Sequence, residues 1–288
     1  MKLIKPSYEI FEQGFEEQDI YKQIEKAGRT CYKSEDKITE GSAQKFVERM
    51  INSGHGAMLE HGTVYLYFPW VCAGREDAKY SHNAYSKCVF VTNVMPKYGK
   101  FRPIEYGEAG HYITTNLRVL VENGWMDDLK YICEPTEYHE RRVTVKFICD
   151  RGVSHEFVRH RVFSFAQEST RYCNYSKDKF GNEITYIQPC WEMQKDEEEL
   201  FLLQLEQAQN SYNALISSGW KAQEARAILP NALKTELVMT GFVSDWKHFF
   251  DLRAYGVTGK PHPQSSELAI PLLNEFITKG YLHGRERN

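Results

Sequence analysis

The chain has 288 residues, 42% of them hydrophobic and 26% charged. That balance excludes a disordered or fibrous chain, and the length allows a core without disulfide or metal staples. Lys and Arg total 36 against 39 Asp and Glu, a net charge of -3, which argues against a general polyanion binder but not against a local basic pocket.

Met1 to Pro6 has no long apolar run, and no segment approaches the ~20 apolar residues of a membrane span. No secretory leader and no membrane contact are expected, and a cytoplasmic location is. Residues 16–30 read as a helix. Ser42 is placed to cap a second, with Phe46, Val47, Met50 and Ile51 on its apolar side and Gly54 at its end. Residues 63–70, rich in β-branched and aromatic side chains, read as a strand. A helix is predicted near 114–123 and a second strand at 142–149. Ser154 is placed to cap a short helix carrying Glu156 to Arg161. Residues 196–218 give the clearest helix, with acids at its start and Gly219 after its end. Residues 222–229, 232–240, 245–253 and 264–279 also read as helical. Helices around a few strands, without βαβ alternation, predict the α+β class. The expected organisation is a single domain, 1–288, of helices packed around a small, mostly antiparallel sheet, with an insertion at about 71–140.

The seven cysteines are odd in number, widely spaced and without a Cys-x-x-Cys pair. They read as reduced thiols, with no disulfide framework and no metal site. Aromatic residues reach 14%, with 18 Tyr, which suits either stacking on flat rings or Tyr-rich packing and subunit contacts. Standard phosphate-binding glycine loops are absent. Gly256-Val-Thr-Gly259-Lys260 has neither the spacing nor the hydroxyl of a P-loop. Any nucleotide bound here must be held largely by side-chain cations.

One stretch is chemically dense. From Ser154 to Tyr175 it holds Arg159, His160, Arg161 and Arg171, the amide of Gln167, and the hydroxyls of Ser169 and Thr170. An arginine fork matches a phosphate or a pyrimidine carbonyl edge. Hydroxyls beside a turn bind phosphate together with backbone N–H groups. A basic run more often simply faces water. Here Val158, Val162, Phe163 and Phe165 interrupt it, so some of the charges must meet the core and need partners. Later, Trp246, Phe249, Phe250 and Arg253 share one helix face by spacing. Spacing alone favours Arg253 snorkelling at the helix end over its reaching into a site.

These residues together resemble the flavin-dependent thymidylate synthase family. Its signature of Arg-His-Arg, seven residues, then Ser is matched by Arg159-His160-Arg161 and Ser169. The match continues through Thr170, Arg171 and Tyr172. Three further pieces follow in the family's order: His55-Gly-Ala57-Met-Leu-Glu60-His61, then Ala-Arg226-x-x-Leu-Pro230, then His248-Phe-x-x-Leu-Arg253. The resemblance implies reductive methylation of dUMP to dTMP, with 5,10-methylenetetrahydrofolate as carbon donor and NADPH as reductant of a bound FAD. It also implies a homotetramer with shared active sites. By the same resemblance, Arg253, Arg171 and Ser169 are the expected catalytic residues. Arg159, His160, Arg161, Gln167, His55, Ala57 and His248 are expected to bind cofactor. Glu156, Arg159, Gln167, Glu168, Ser169, Thr170, Arg171, Arg226 and Arg253 are expected to bind substrate. Arg253 is expected to favour the anionic uracil, so that a reduced flavin delivers hydride without a cysteine nucleophile.

The chain also departs from the family. Phe242 and Ser244 stand where an Asn and then an Arg are common, with Trp246 or His248 as candidate replacements. Residues 62–158, 97 positions, separate His61 from Arg159, more than the family usually has. These departures keep two other readings open. One is a related flavin-dependent pyrimidine nucleotide methyl- or hydroxymethyltransferase. The other is a nucleotide- or RNA-binding module without catalysis, which the net charge disfavours.

Overall fold

A computed structural model describes residues 1–69, 78–91, 109–177 and 183–283. Its strands are β1 (Lys2–Ile4), β2 (Ser7–Phe11), β3 (Thr63–Pro69), β4 (Lys87–Val91), β5 (Gly110–Asn116), β6 (Arg142–Asp150), β7 (Ser164–Gln167), β8 (Thr185–Ile187) and β9 (Lys234–Phe242). Its helices are α1 (Glu17–Tyr32), α2 (Ser42–Asn52), α3 (Gly56–Leu59), α4 (Ala78–Ser81), α5 (Leu117–Asn123), α6 (Arg151–Phe157), α7 (Lys195–Ser217), α8 (Ala222–Ala225), α9 (Val243–Arg253) and α10 (Pro263–Thr278). The class is α+β, as the sequence leads one to expect. The chain partitions into two compact units. One comprises Glu12–Ala27 and Lys37–Val143; the other comprises Met1–Phe11, Gly28–Asp36 and Thr144–Asn288.

The first unit holds an antiparallel sheet in the order β3-β5-β4, with Leu66 opposite Ile113. Leu66, Ile113, Leu117 and Leu120 join Ile20, Ile24, Phe46 and Val47 in its core. The helix predicted from residue 114 begins only at Leu117. Ile113, Thr114 and Thr115 are β-branched and extend strand β5, and the side chain of Asn116 then accepts from Val119 N to start α5. Ser42 is the first residue of α2, not its cap; Gly41 precedes it in the left-handed region. Of the expected insertion at 71–140, residues 71–77 and 92–108 lie outside the described residues, as does Trp70 at the end of the predicted strand.

The second unit holds a sheet in the order β2-β6-β9-β7, in which β2 pairs antiparallel with β6 and β7 with β9. A parallel pair, β1 and β8, stands apart from it. The predicted helix at 232–240 is wrong: β9 occupies 234–242. Nearly every residue of β9 is buried, because both its faces are covered. An apolar run of that kind lacks the alternation that marks a half-exposed strand. Phe163 packs against β9 at Gly241, where a Cβ would stand 2.6 Å from its ring. Phe163 in turn meets Trp246, which lies with Phe147, Phe249, Phe250 and Phe276 in an aromatic core beneath the site.

Candidate active site

The site is built where β6 turns into α6. Asp150, not Ser154, caps this helix: its Oδ1 accepts from Val153 N at 2.8 Å while Oδ2 accepts from Gln264 Nε2 at 2.8 Å. The helix stops at Phe157, so the predicted continuation to Arg161 is replaced by turns. His160 N donates to Phe157 O, and Phe163 N to His160 O. Those turns swing Arg159 and Arg161 outward and bury His160. His155 is exposed.

Helix α9 supplies the facing wall. Trp246, Phe249 and Phe250 fix its orientation in the core, and Arg253 ends it. The snorkelling expected from spacing alone does not occur. Arg253 Nη1 donates to the Glu156 carboxylate, Nη2 to the Glu156 carbonyl oxygen at 2.9 Å, and Nε to His160 Nε2 at 3.2 Å. Ser265 Oγ donates to the same carboxylate at 3.4 Å. A guanidinium carries five N–H groups, so two remain for a ligand. Burial, then the charges of Arg253 and His248, hold the His160 pKa down to about 4. His160 is therefore a neutral acceptor at physiological pH. Burial also lowers the Arg253 pKa, against the opposing effect of Glu156.

Around this pair opens a cleft of about 760 Å³, lined by Arg159, Arg161, His248, Arg253 and Lys260 among others, with Glu156 as its one carboxylate. Neither Arg159 nor Arg161 has an ion pair among the described residues. The wall at Thr258–His262 comes from the loop after α9, where Gly256 takes a positive φ of 66° and sits against Pro261. Lys260 and Thr258 were not singled out from sequence; the only signal was the glycine-flanked lysine of a failed P-loop pattern. Phe242 is buried, while Ser244 is exposed on the first turn of α9. Of the two candidate replacements for the missing pair, Trp246 is wholly buried and His248 lines the cleft.

A second cluster follows β7. Glu168 N donates to Glu236 O at 2.8 Å and Ser169 N to Cys31 O at 2.9 Å, pinning the loop from both sides. Arg226 Nη1 donates to Thr170 Oγ1 at 3.0 Å, and Arg171 Nε to Gln223 Oε1 at 3.1 Å. Arg171, Tyr172 and Arg226 are exposed. The Ser169 hydroxyl accepts from Arg171 N at 3.3 Å. Gln167 is held between helix and sheet, donating to Ser154 Oγ at 2.9 Å and Thr235 Oγ1 at 3.2 Å. Glu168 points away from the loop into the interior, where it meets Lys234 at 2.8 Å and Tyr175. His55 and Ala57 belong to the first unit, where His55 precedes α3 and both are exposed. The structure thus gathers Glu156, Arg159, His160, Arg161, His248 and Arg253 in one cleft, and Ser169, Thr170, Arg171 and Arg226 in one loop cluster. Among the described residues no group of His, Cys, Asp and Glu is arranged to hold a metal, and no helix is long and apolar enough to cross a membrane.

The α+β scaffold thus presents arginines and hydroxyls from one short segment, a set of donors whose chemistry suits an anion. Residues 136–278, just under half of the chain, match the family described as thymidylate synthase complementing protein. The chain is 33% identical over 103 residues to a flavin-dependent thymidylate synthase of Geobacter sulfurreducens, and 36% identical over 107 residues to one of Pyrococcus furiosus. In each case the match covers 36% of this chain and 43% of the relative, so it spans less than half the length of these relatives. Among solved structures, a UMP/dUMP methylase, PolB, from Streptomyces cacaoi with 5-Br dUMP bound covers 96% of this chain and 93% of its own. Its identity is 15% and its TM-score 0.46, too loose a likeness to carry an inference.

Proposed function

We propose that the chain catalyses the reductive methylation of dUMP to dTMP, with 5,10-methylenetetrahydrofolate as carbon donor and NADPH as reductant of a bound FAD. The observation that carries this reading is Arg253, held by Glu156 and His160 at the wall of a cleft whose cations Arg159, Arg161 and Lys260 have no ion pair among the described residues. The residues present suit a ligand bearing phosphates. Arg159, Arg161 and Lys260 face the cleft against a single carboxylate that is already engaged by Arg253. FAD would be held there by Arg159, Arg161 and His248, with His160 fixing the Arg253 side chain. A flavin bound in that cleft would supply hydride-transfer chemistry for the reduction.

The chain's own residues do the rest. Ser169, Thr170 and Arg171 of the loop, with Arg226 bonded to Thr170 from the turn after α8, take the phosphate of dUMP through hydroxyls and guanidinium N–H groups. Arg253 directs its two remaining N–H groups at the uracil carbonyl edge and stabilises negative charge as it develops on the ring. Gln167, whose amide N–H groups are already engaged, offers Oε1 as an acceptor toward the base. No cysteine is required. Burial raises the Cys31 pKa to about 11 and that of Cys149 further still, so neither is a ready thiolate. The active assembly in this reading is a homotetramer with sites shared between subunits, and the exposure of Arg171, Tyr172 and Arg226 in the single chain supports it.

The experiment is an absorbance spectrum of the purified chain with FAD, bleached by NADPH, then repeated with dUMP and methylenetetrahydrofolate while dTMP is assayed. A flavin band that bleaches and recovers with dTMP formation supports the reading. A chain that ignores FAD, or turns over NADPH without any nucleotide product, refutes it.

A further inference from the structure

Beneath the loop that carries Ser169 lies a cluster of charges that the proposed reaction does not use. Glu236, on β9, is almost wholly buried. Its carboxylate meets Lys33 at 2.7 Å, Lys234 at 2.6 Å, and also Lys146 of β6. Lys234 reaches Glu168 at 2.8 Å, and Lys33 reaches Glu35 at 3.0 Å. Three lysines thus face three glutamates, and the cluster is neutral as it stands. Burial alone would raise the Glu236 pKa, but the three lysines hold it down to about 2. Removing Lys33 leaves Glu236 with two of its three lysines and the cluster with one negative charge in excess.

Two features tie this cluster to the loop above it. First, the backbone carbonyl oxygen of Glu236 accepts from Glu168 N, and that of Cys31 from Ser169 N. The start of the loop is therefore clamped between β9 and the chain leading to Lys33. Second, Lys33 is the one residue other than glycine with a positive φ among the described residues, at 47°. A lysine is strained in that region, and such strain persists only where the surroundings over-determine it. Here the close of helix α1 does so: Ser34 N donates to Arg29 O at 3.1 Å and Lys33 N to Thr30 O at 3.3 Å, and the turn they fix sends the Lys33 side chain to Glu236 and Glu35.

Resting on the function proposed above, we infer that Lys33 is a positioning residue for the nucleotide: through Glu236 it fixes the height and register of the Ser169-Thr170-Arg171 loop, and so the affinity for the dUMP phosphate. Lys33 touches none of the groups assigned to substrate or cofactor. Its loss acts on binding and not on the chemistry at Arg253.

The test uses the full chain loaded with FAD and three variants. Lys33→Asn tolerates the left-handed backbone while removing the charge, Lys33→Arg keeps the charge, and Lys33→Met removes it in a residue that keeps the backbone strain. Calorimetric titration with dUMP and steady-state dTMP formation are measured on each. Lys33→Asn is expected to raise the Kd and KM for dUMP roughly tenfold, with a much smaller change in kcat. Lys33→Arg recovers most of that loss, and Lys33→Met follows Lys33→Asn. If the unaltered chain binds dUMP and Lys33→Asn binds it equally well, the inference is overturned and the proposed function stands. Equal losses in kcat and in flavin content would also overturn it, because they mark a general structural role. If the unaltered chain does not bind dUMP at all, the proposed function falls and this inference with it.

Discussion

Arg253 grips Glu156 twice, once at the carboxylate and once at the backbone carbonyl oxygen, across 97 positions of sequence. The contact joins the last turn of α6 to the last turn of α9 and thereby sets the width of the cleft between them. Each partner carries a charge that the other offsets, so neither side chain is free to fold back onto its own helix.

Replacing Glu156 by Ala removes the carboxylate and leaves Arg253 held only by the carbonyl oxygen and His160. A charge-assisted hydrogen bond at this degree of burial contributes about 1–2 kcal/mol. The denaturant midpoint is expected to drop accordingly, without a change in the slope of the transition. An unaltered midpoint would mean that the pair carries no net stability.

His160 makes the molecule sensitive to mild acid. Its folded-state pKa of about 4 lies below the ordinary 6.5. The unfolded chain therefore binds the proton first, and stability falls as pH drops from about 6.5 toward 4. The full effect is on the order of 2–3 kcal/mol. Protonation also removes the acceptor that Arg253 Nε uses. His160→Gln keeps an acceptor that does not titrate, so its unfolding free energy is expected to be flatter across that window. Denaturant melts at a series of pH values check this.

Arg226 is exposed and bonded to Thr170. Arg226→Ala is expected to leave the melting temperature within about 2 °C of the parent, since surface changes are small in energy. Its dUMP affinity is expected to fall at least tenfold, because a charge-assisted phosphate contact is lost. Titration calorimetry with dUMP reads both the parent and the variant.

Arg159 has no ion pair among the described residues and faces the cleft. Arg159→Ala is expected to lose flavin on gel filtration while the protein elutes at its usual volume. A variant that stays fully yellow would remove Arg159 from the cofactor site.

The sequence made the local parts of this architecture readable. The long helix α7, helix α9 and the aromatic face bearing Arg253 follow a 3.6-residue period, and periods survive without knowledge of the rest of the chain. The Arg159-to-Arg171 segment was readable because its chemistry is packed into a dozen or so positions. Strand β9 was not, since burial on both faces erased its alternation. The short strands β1, β2 and β8 owe their existence to partners far along the chain, with Lys2 opposite Thr185 and Ser7 opposite Ile148. The grip of Arg253 on Glu156 and the three lysines around Glu236 are long-range facts of the same kind. In hindsight Lys234 and Glu236, two apart on a strand, share one face, but only the strand assignment makes that visible.

The most direct test of the account is Arg253→Ala, assayed for bound flavin and for dTMP formed from dUMP, methylenetetrahydrofolate and NADPH. The account predicts a protein that keeps its flavin and loses dTMP formation by about 100-fold or more, the cost of removing a charge aimed at the reacting ring. Turnover equal to that of the parent would contradict it.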